Sequence, residues 1–262
     1  MTPIVMQRKR RSYAVTDMPQ LLLHHRMLIR PKLLTRYWGL CPETIVHVGG
    51  HEAEELREYQ EKGWGSAGVI WVEALPAKAE LIRELVASQP HHTVREAVAW
   101  DRAGVEIDFH EASNTQASSV LEFGSHERSY PEIHRVRTIT MVTNTLEKLL
   151  QVHISGGIGL LNLDVQGSEL QVLRGLGARI SDVETIYTEV NVEEVYKGCV
   201  LLEDLDSWLS EQGFVQVDIR LTQDGWSDGL WIRGDRVPSS PALRRTGRRV
   251  HTALGKIRRA LT

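Results

Sequence analysis

Thr44–Glu73 reads TIVHVGGHEAEELREYQEKGWGSAGVIWVE, two short β-branched runs separated by an amphipathic stretch. Thr44–Val48 predicts a strand, Glu52–Lys62 a helix ended by Gly63 and Gly65, and Val69–Glu73 a second strand. A helical crossover between two strands places them side by side in parallel, in a sheet covered on both faces.

The same alternation continues outward. Pro76 opens a helix through Val86, and Thr93–Val98 is a third strand, which completes a βαβαβ unit. Val105–Phe109 and Arg137–Val142 are strand-like, and the polar stretch Glu111–His134 between them has no period; a loop that long is expected to select the substrate. Gly159–Asp164 is strand four, Gly167–Leu176 a helix, Val183–Val190 strand five and Leu201–Gln212 a helix. Phe214–Arg220 and Gly229–Arg233, joined through the turn-rich Thr222–Asp228, close the domain as an antiparallel hairpin. The expected fold is α/β: a Rossmann-like, doubly wound, mostly parallel sheet with a C-terminal hairpin.

With 262 residues, 42% of them apolar, the chain can bury one sizeable core. Its net charge of -3 conceals basic ends and an acidic body: residues 1–37 carry eight Lys/Arg against one acid, and residues 238–262 carry seven against none. Three regions are expected: a basic arm and helix over 1–40 (Arg8–Arg11, then Met18–Tyr37), the α/β domain over 41–236, and a basic tail over 237–262. Cys41 and Cys199 are too few and too far apart for a disulfide framework or a zinc site. No apolar run approaches the roughly 20 residues of a membrane span, and Leu21–Leu23 runs straight into His24, His25 and Arg26 rather than forming a signal peptide. A cytoplasmic protein is expected.

Ligands of such sheets bind beyond the carboxyl ends of the strands. Strand one ends in Gly49-Gly50-His51, where glycine lets the backbone approach a ligand. Glu73 ends strand two, 24 positions after Gly49, at the offset where an acid accepts from ribose hydroxyls. The turn lacks the third glycine of GxGxxG, having Ala53 instead, which disfavours a pyrophosphate.

Several segments resemble the FkbM-type methyltransferases. Val46–Tyr59 (VHVGGHEAEELREY) is similar to their first motif, Val69–Pro76 (VIWVEALP) to the second, and Ala97-Val98-Ala99 with Asp101 and Gly104 to the third. Asn114 with Ser118 and Ser119 resembles a polar segment before the fourth strand. Leu161–Glu169 (LNLDVQGSE) resembles the Lys-Ile-Asp-Val-Glu-Gly-Ala-Glu type of motif, and Tyr187-Thr188-Glu189-Val190 the fifth strand. The likeness spans about residues 44–233, with three departures: His47 stands where the family usually has Asp, Ala53 where it has Gly, and Gln166 where it has Glu.

The resemblance implies a class I methyltransferase sheet, S-adenosylmethionine (SAM) as cofactor, and methyl transfer to a hydroxyl, often of a sugar in a glycan, glycolipid or natural product. It implies that Gly49, Gly50, His51 and Glu55 surround the methionine part, Glu73 and Ala74 the ribose, and Ala97 and Val98 the adenine. Asn114, Ser118, Ser119 and Gln166 would face the acceptor. The alternatives are a nucleotide-dependent oxidoreductase, opposed by the missing glycine and the hairpin, and a non-catalytic SAM-binding protein marked by His47 and Gln166.

Transfer needs an aligned acceptor and a group to take its proton. Asp164, at the end of strand four, is the first candidate, with Glu189 beside it; His134, like His51 and His126, belongs to the residue type that titrates near neutrality. Asp164, Glu189 and Asn191 could instead offer oxygen ligands to Mg²⁺, although a metal-free polar crevice is the preferred reading. The basic ends could lie on an anionic membrane, or, as preferred, pack on the acidic body or in a homodimer. The expected partner is a small-molecule or glycan acceptor; nucleic acid is not expected, because no aromatic-studded basic face is visible.

Overall fold

A computed structural model of the protein describes residues 27–29, 31–151, 157–222 and 224–237. It begins with α1 (Pro31–Trp38), β1 (Thr44–Val48), α2 (Leu56–Tyr59), β2 (Gly68–Glu73), α3 (Pro76–Leu85) and β3 (His92–Glu96). There follow β4 (Val98–Ala99), β5 (Glu106–Ala112), α4 (His126–Ser129), β6 (Arg135–Asn144) and α5 (Leu146–Leu150). The chain closes with β7 (Leu160–Leu163), α6 (Glu169–Arg174), β8 (Thr185–Asn191), α7 (Leu202–Glu211), β9 (Phe214–Leu221) and β10 (Trp226–Arg233).

Seven strands form one sheet in the order β3-β2-β1-β7-β8-β10-β9, in which β10 runs antiparallel to both its neighbours and the other pairings are parallel. This is the doubly wound sheet with a closing hairpin. Its central strands are buried on both faces, which is why β1 and β7 read as largely apolar runs; β8, equally buried, carries Thr185, Thr188, Glu189 and Asn191 among its apolar residues. Alternate residues serve opposite faces. Val46, Val48, Leu161 and Leu163 pack with Leu146, Val172 and Leu205 of α5, α6 and α7; Ile45, Trp71, Leu160 and Tyr187 pack with Leu34 of α1, Tyr59 of α2 and Ile82 of α3.

Several sequence boundaries move. The third strand breaks at Ala97, whose N–H bonds to Glu73 O at 2.9 Å, so His92–Glu96 joins the main sheet while Val98–Ala99 pairs with β6 in a separate sheet of order β4-β6-β5. The helix expected over Glu52–Lys62 starts only at Leu56 and runs into a π-helical segment, Gln60–Trp64, that ends where Gly63 takes φ +86°. Helix α1 is shorter than the Met18–Tyr37 expectation: Met27–Ile29 is not helical, and residues 18–26 lie outside the described residues, as do the arm at Arg8–Arg11 and the tail at 238–262. The polar stretch carries a 3-10 turn, Thr115–Ala117, and α4.

The segment before α1 is fastened to the sheet by one buried acid. Asp228 of β10 accepts from Leu28 N at 2.8 Å and from the Tyr187 hydroxyl, and Ile29 is fully buried beside them. Burial pushes the Asp228 carboxyl up to about 8, from 3.8 in the unfolded chain, despite the Leu28 hydrogen bond. The folded state therefore holds a proton that the unfolded state releases, and this contribution to stability is lost as pH rises between those values, by at most about 1.4 kcal/mol per pH unit. Urea unfolding at about pH 5 and about pH 8 should show that loss in the parent protein, and Asp228→Asn, which keeps an acceptor oxygen, should flatten it. An unchanged slope in the variant would assign the pH dependence elsewhere.

Candidate active site

Between β1 and β7 the strand order reverses, β2 lying to one side and β8 to the other, which opens a crevice at the strand ends. The turn after β1 is cramped. Gly49 has φ +83°, and a Cβ there would sit 1.7 Å from the carbonyl oxygen of Asp164, so only glycine lets β1 and β7 end side by side. His51, Ala53 and Gln166 also hold positive φ without being glycine (41°, 56° and 55°), and all three lie in the turns leaving β1 and β7. Backbone strain of this kind concentrates at functional sites.

A cavity of about 740 Å³, counting the part open to solvent, fills the crevice. Its polar side is Glu73, His51, Glu54, Glu55 and Asp164; its apolar side includes Leu75, Val98, Phe109 and Val120. Glu73 accepts from His51 N at 2.8 Å and Leu75 N at 2.7 Å, and burial raises its carboxyl. His51 spans to Glu54 (2.7 Å) and to the Thr115 hydroxyl (2.8 Å), while the Gln116 amide donates to Glu54 at 3.0 Å. Burial alone would raise Glu54, but the His51 hydrogen bond and charge bring it down to about 2. Glu55 goes the other way, raised well above the carboxylate range by burial and then by the charges of Asp164 and Glu54. Such a lining fits SAM: acids for its cationic methionine end, the Glu73 carboxylate for ribose hydroxyls and an apolar slot for adenine.

Gln166 separates this cavity from a second one and lines both. Its side-chain amide nitrogen donates to Asp164 Oδ1 at 2.5 Å and to Glu189 Oε2 at 3.2 Å; its carbonyl accepts from the Tyr196 hydroxyl at 2.5 Å. The Tyr196 hydroxyl meets the carbonyl end of the amide, whose N–H end faces the acids. Ser119 donates to the Gln166 backbone carbonyl at 2.8 Å, holding the strained residue in place. Burial, then the charge of Asp164, raises Glu189 well above the carboxylate range, which favours its protonated form. Glu169, fully buried behind the loop and accepting from Gly167 N at 3.0 Å, is raised to about 7 by burial.

The Methyltransferase FkbM domain profile matches residues 47–215. The chain belongs to this family. Its domain is that of a SAM-dependent methyltransferase, which sets the oxidoreductase alternative aside. No curated protein sequence matches the chain. Among solved structures, it is similar to methyltransferase FkbM from Methylobacillus flagellatus KT, with 14% identity over 77% of this chain and 47% of that one, and a TM-score of 0.48. It therefore spans about half the length of that relative. Streptococcus pneumoniae Sp1610, assigned as a tRNA (m1A22) methyltransferase, shares 14% identity over 80% of this chain and 72% of that one, with a TM-score of 0.44. M. capricolum TrmK, in complex with S-adenosyl-homocysteine, shares 9% over 78% and 68%, also with a TM-score of 0.44.

The FkbM-like residues fall unevenly around the site. Gly49, His51, Glu55, Glu73, Ala74, Ala97 and Val98 line the first cavity, together with Asp164, Gln166 and Ser118. Gly50 does not: a Cβ there would meet Ile82 and Trp71, so it serves the packing of β1 on α3. Glu189 and Asn114 line the second cavity. Ser118 accepts from Ala112 N, and Ser119 acts through Gln166. His134 lines neither cavity; it is exposed, with its ring 3.2 Å from Glu132 O. Asn191, fully buried, has no hydrogen-bond partner on either amide atom, and among the described residues no three His, Cys, Asp or Glu side chains cluster to hold a metal. His126, one of the histidines considered from sequence, lines the second cavity, whereas Glu54, Gln116 and Tyr196 enter the site without having been assigned to it; the contacts of Gln116 with Glu54 and of Tyr196 with Gln166 and Ala117 cross 30 to 79 positions, beyond any local signal.

His47, the departure from the family's Asp, does not line the first cavity and is buried in the core. It stacks on Trp71 with ring centroids 4.8 Å apart, lies 3.0 Å from the Tyr59 hydroxyl, and burial lowers it to about 4, which keeps it neutral. Asn162, opposite it on β7, donates to the same tyrosine at 2.8 Å.

Proposed function

We propose that the protein transfers the SAM methyl group to a hydroxyl of a sugar or sugar-bearing acceptor seated in the second cavity. The observation that carries this reading is the wall shared by the two cavities, where Gln166 holds Asp164, which lines the first, beside Glu189, which lines the second. SAM, when bound, supplies an electrophilic methyl group. Asp164 takes the proton of the acceptor hydroxyl, while Glu189, the acid of the pair that burial pushes toward its protonated form, donates a hydrogen bond instead of competing as a base; one buried pair thereby serves two roles. Gln166 offers N–H groups where the family usually has a third carboxylate, which keeps the pair together without adding charge.

Calorimetric titration with SAM and with NAD(H) tests the cofactor. Wild type is expected to bind SAM and not NAD(H), and Glu73→Gln to weaken SAM by roughly 10-fold or more through the lost charged acceptor. Tight NAD(H) binding without SAM binding would sink the reading. A screen of neutral and charged sugars for methyl incorporation then tests the acceptor.

A further inference from the structure

We propose that the second cavity is built for an acceptor that carries a protonated amine beside its hydroxyls, an amino sugar or aminocyclitol in chemical class, and that it disfavours phosphorylated or carboxylated acceptors. This rests on the reading above that the second cavity takes the acceptor. The cavity offers about 1250 Å³, counting space open to solvent, enough for one or two sugar rings, and among the described residues no lysine or arginine lines it.

Its acidic groups are Glu132, which is exposed, Asp224, which is half-buried, and Glu189, which is buried beside Gln166. Neither Glu132 nor Asp224 has a lysine or arginine within ion-pair distance among the described residues, whereas Glu122, nearby in sequence, is held by both Lys197 and Arg135. Lys197 and Arg135 are thus paired outside the cavity. Tyr130 and Trp226 line it as well, with the indole N–H 3.5 Å from the phenol oxygen. Aromatic faces beside carboxylates are the surroundings in which an ammonium group is bound.

A second, independent feature points to a polar ligand. His126 is 6% exposed and lines the cavity, packed on Phe123 at 4.4 Å between centroids, yet its Nδ1 has no hydrogen-bond partner. Burial lowers its pKa, so the ring is neutral and offers that nitrogen to a ligand hydroxyl or amine. An unpaired buried nitrogen of this kind costs stability unless a ligand completes it.

Glucosamine, glucose and glucuronate share one ring and differ in charge, which makes them the probes. Ligand-observed NMR titrations at a pH where the amine is protonated should place glucosamine tightest, by about 10-fold over glucose, with glucuronate weakest. Asp224→Asn combined with Glu132→Gln should bring glucosamine down to the level of glucose and leave SAM affinity by calorimetry unchanged. SAM binding with equal affinities for the three sugars or with tighter glucuronate overturns this inference alone, and SAM binding with no sugar binding overturns it together with the reading of the second cavity as a sugar site. Absent SAM binding overturns the cofactor reading instead, so the two failures are distinguishable.

Discussion

Gly49→Ala is expected to destabilise the protein by on the order of 4 kcal/mol and to lower SAM affinity by roughly 100-fold or more. The added methyl would lie 1.7 Å from Asp164 O, an overlap with main chain that no rotamer change relieves, at a residue that also holds φ +83°. Either β1 and β7 part at their ends or the turn moves, and both alternatives displace Asp164 and the floor of the cofactor cavity. Gly63→Ala is the matched control: φ is +86°, but nothing lies within 4 Å of the new methyl. Only the cost of the left-handed conformation remains there, about 1 to 2 kcal/mol, and SAM binding should be untouched. Thermal unfolding and calorimetry of the two variants separate steric from conformational effects; equal losses would mean that the close approach of β1 to β7 does not matter.

Asp164→Asn should do the opposite to stability and more to activity. Burial is the main reason that Glu55, Glu169, Glu189, Tyr196 and Asp228 hold protons above their ordinary ranges, but the charge of Asp164 adds to every one of them. Removing that charge lowers these folded-state values toward those of the unfolded chain. Because a raised acid loses its contribution to stability as pH climbs, the variant should be at least as stable as wild type at neutral pH, and its advantage should grow on the alkaline side. Methyl transfer, by contrast, loses its proton acceptor and should fall by about 100-fold to 10,000-fold. Stability carried across the pH range by urea unfolding, and transfer from SAM to the acceptor, are the two measurements. A variant that is less stable and still active would remove Asp164 from the centre of the site.

The buried acids show where sequence reading stops. Glu73 could be placed because a strand-end acid at a set distance from a glycine turn is a local pattern, and the parallel order of β1 and β2 converts that distance into adjacency. Gly50 looked equivalent to Gly49, yet one faces Trp71 and the other the cavity, since successive residues leave a strand end in opposite directions. His134 and His126 stand in the same unpatterned stretch. Which of them is buried against Phe123 and which is solvated depends on the bridge that pairs Phe123 with Tyr196, a contact between distant segments.

By itself the sequence determined the alternation of strands and helices, the doubly wound sheet with its hairpin, and the glycine turn and acid that line the crevice at the strand ends, because each is written in spacings of a few residues. Tertiary structure alone decided that Gln166 bridges two carboxylates, that Tyr196 meets its carbonyl end and that His47 belongs to the core. It also decided that Tyr130 and Trp226 share a cavity. Those facts depend on side chains from separate strands meeting in a low-dielectric interior, where burial and neighbouring charge set protonation, and neither quantity is a property of any one segment.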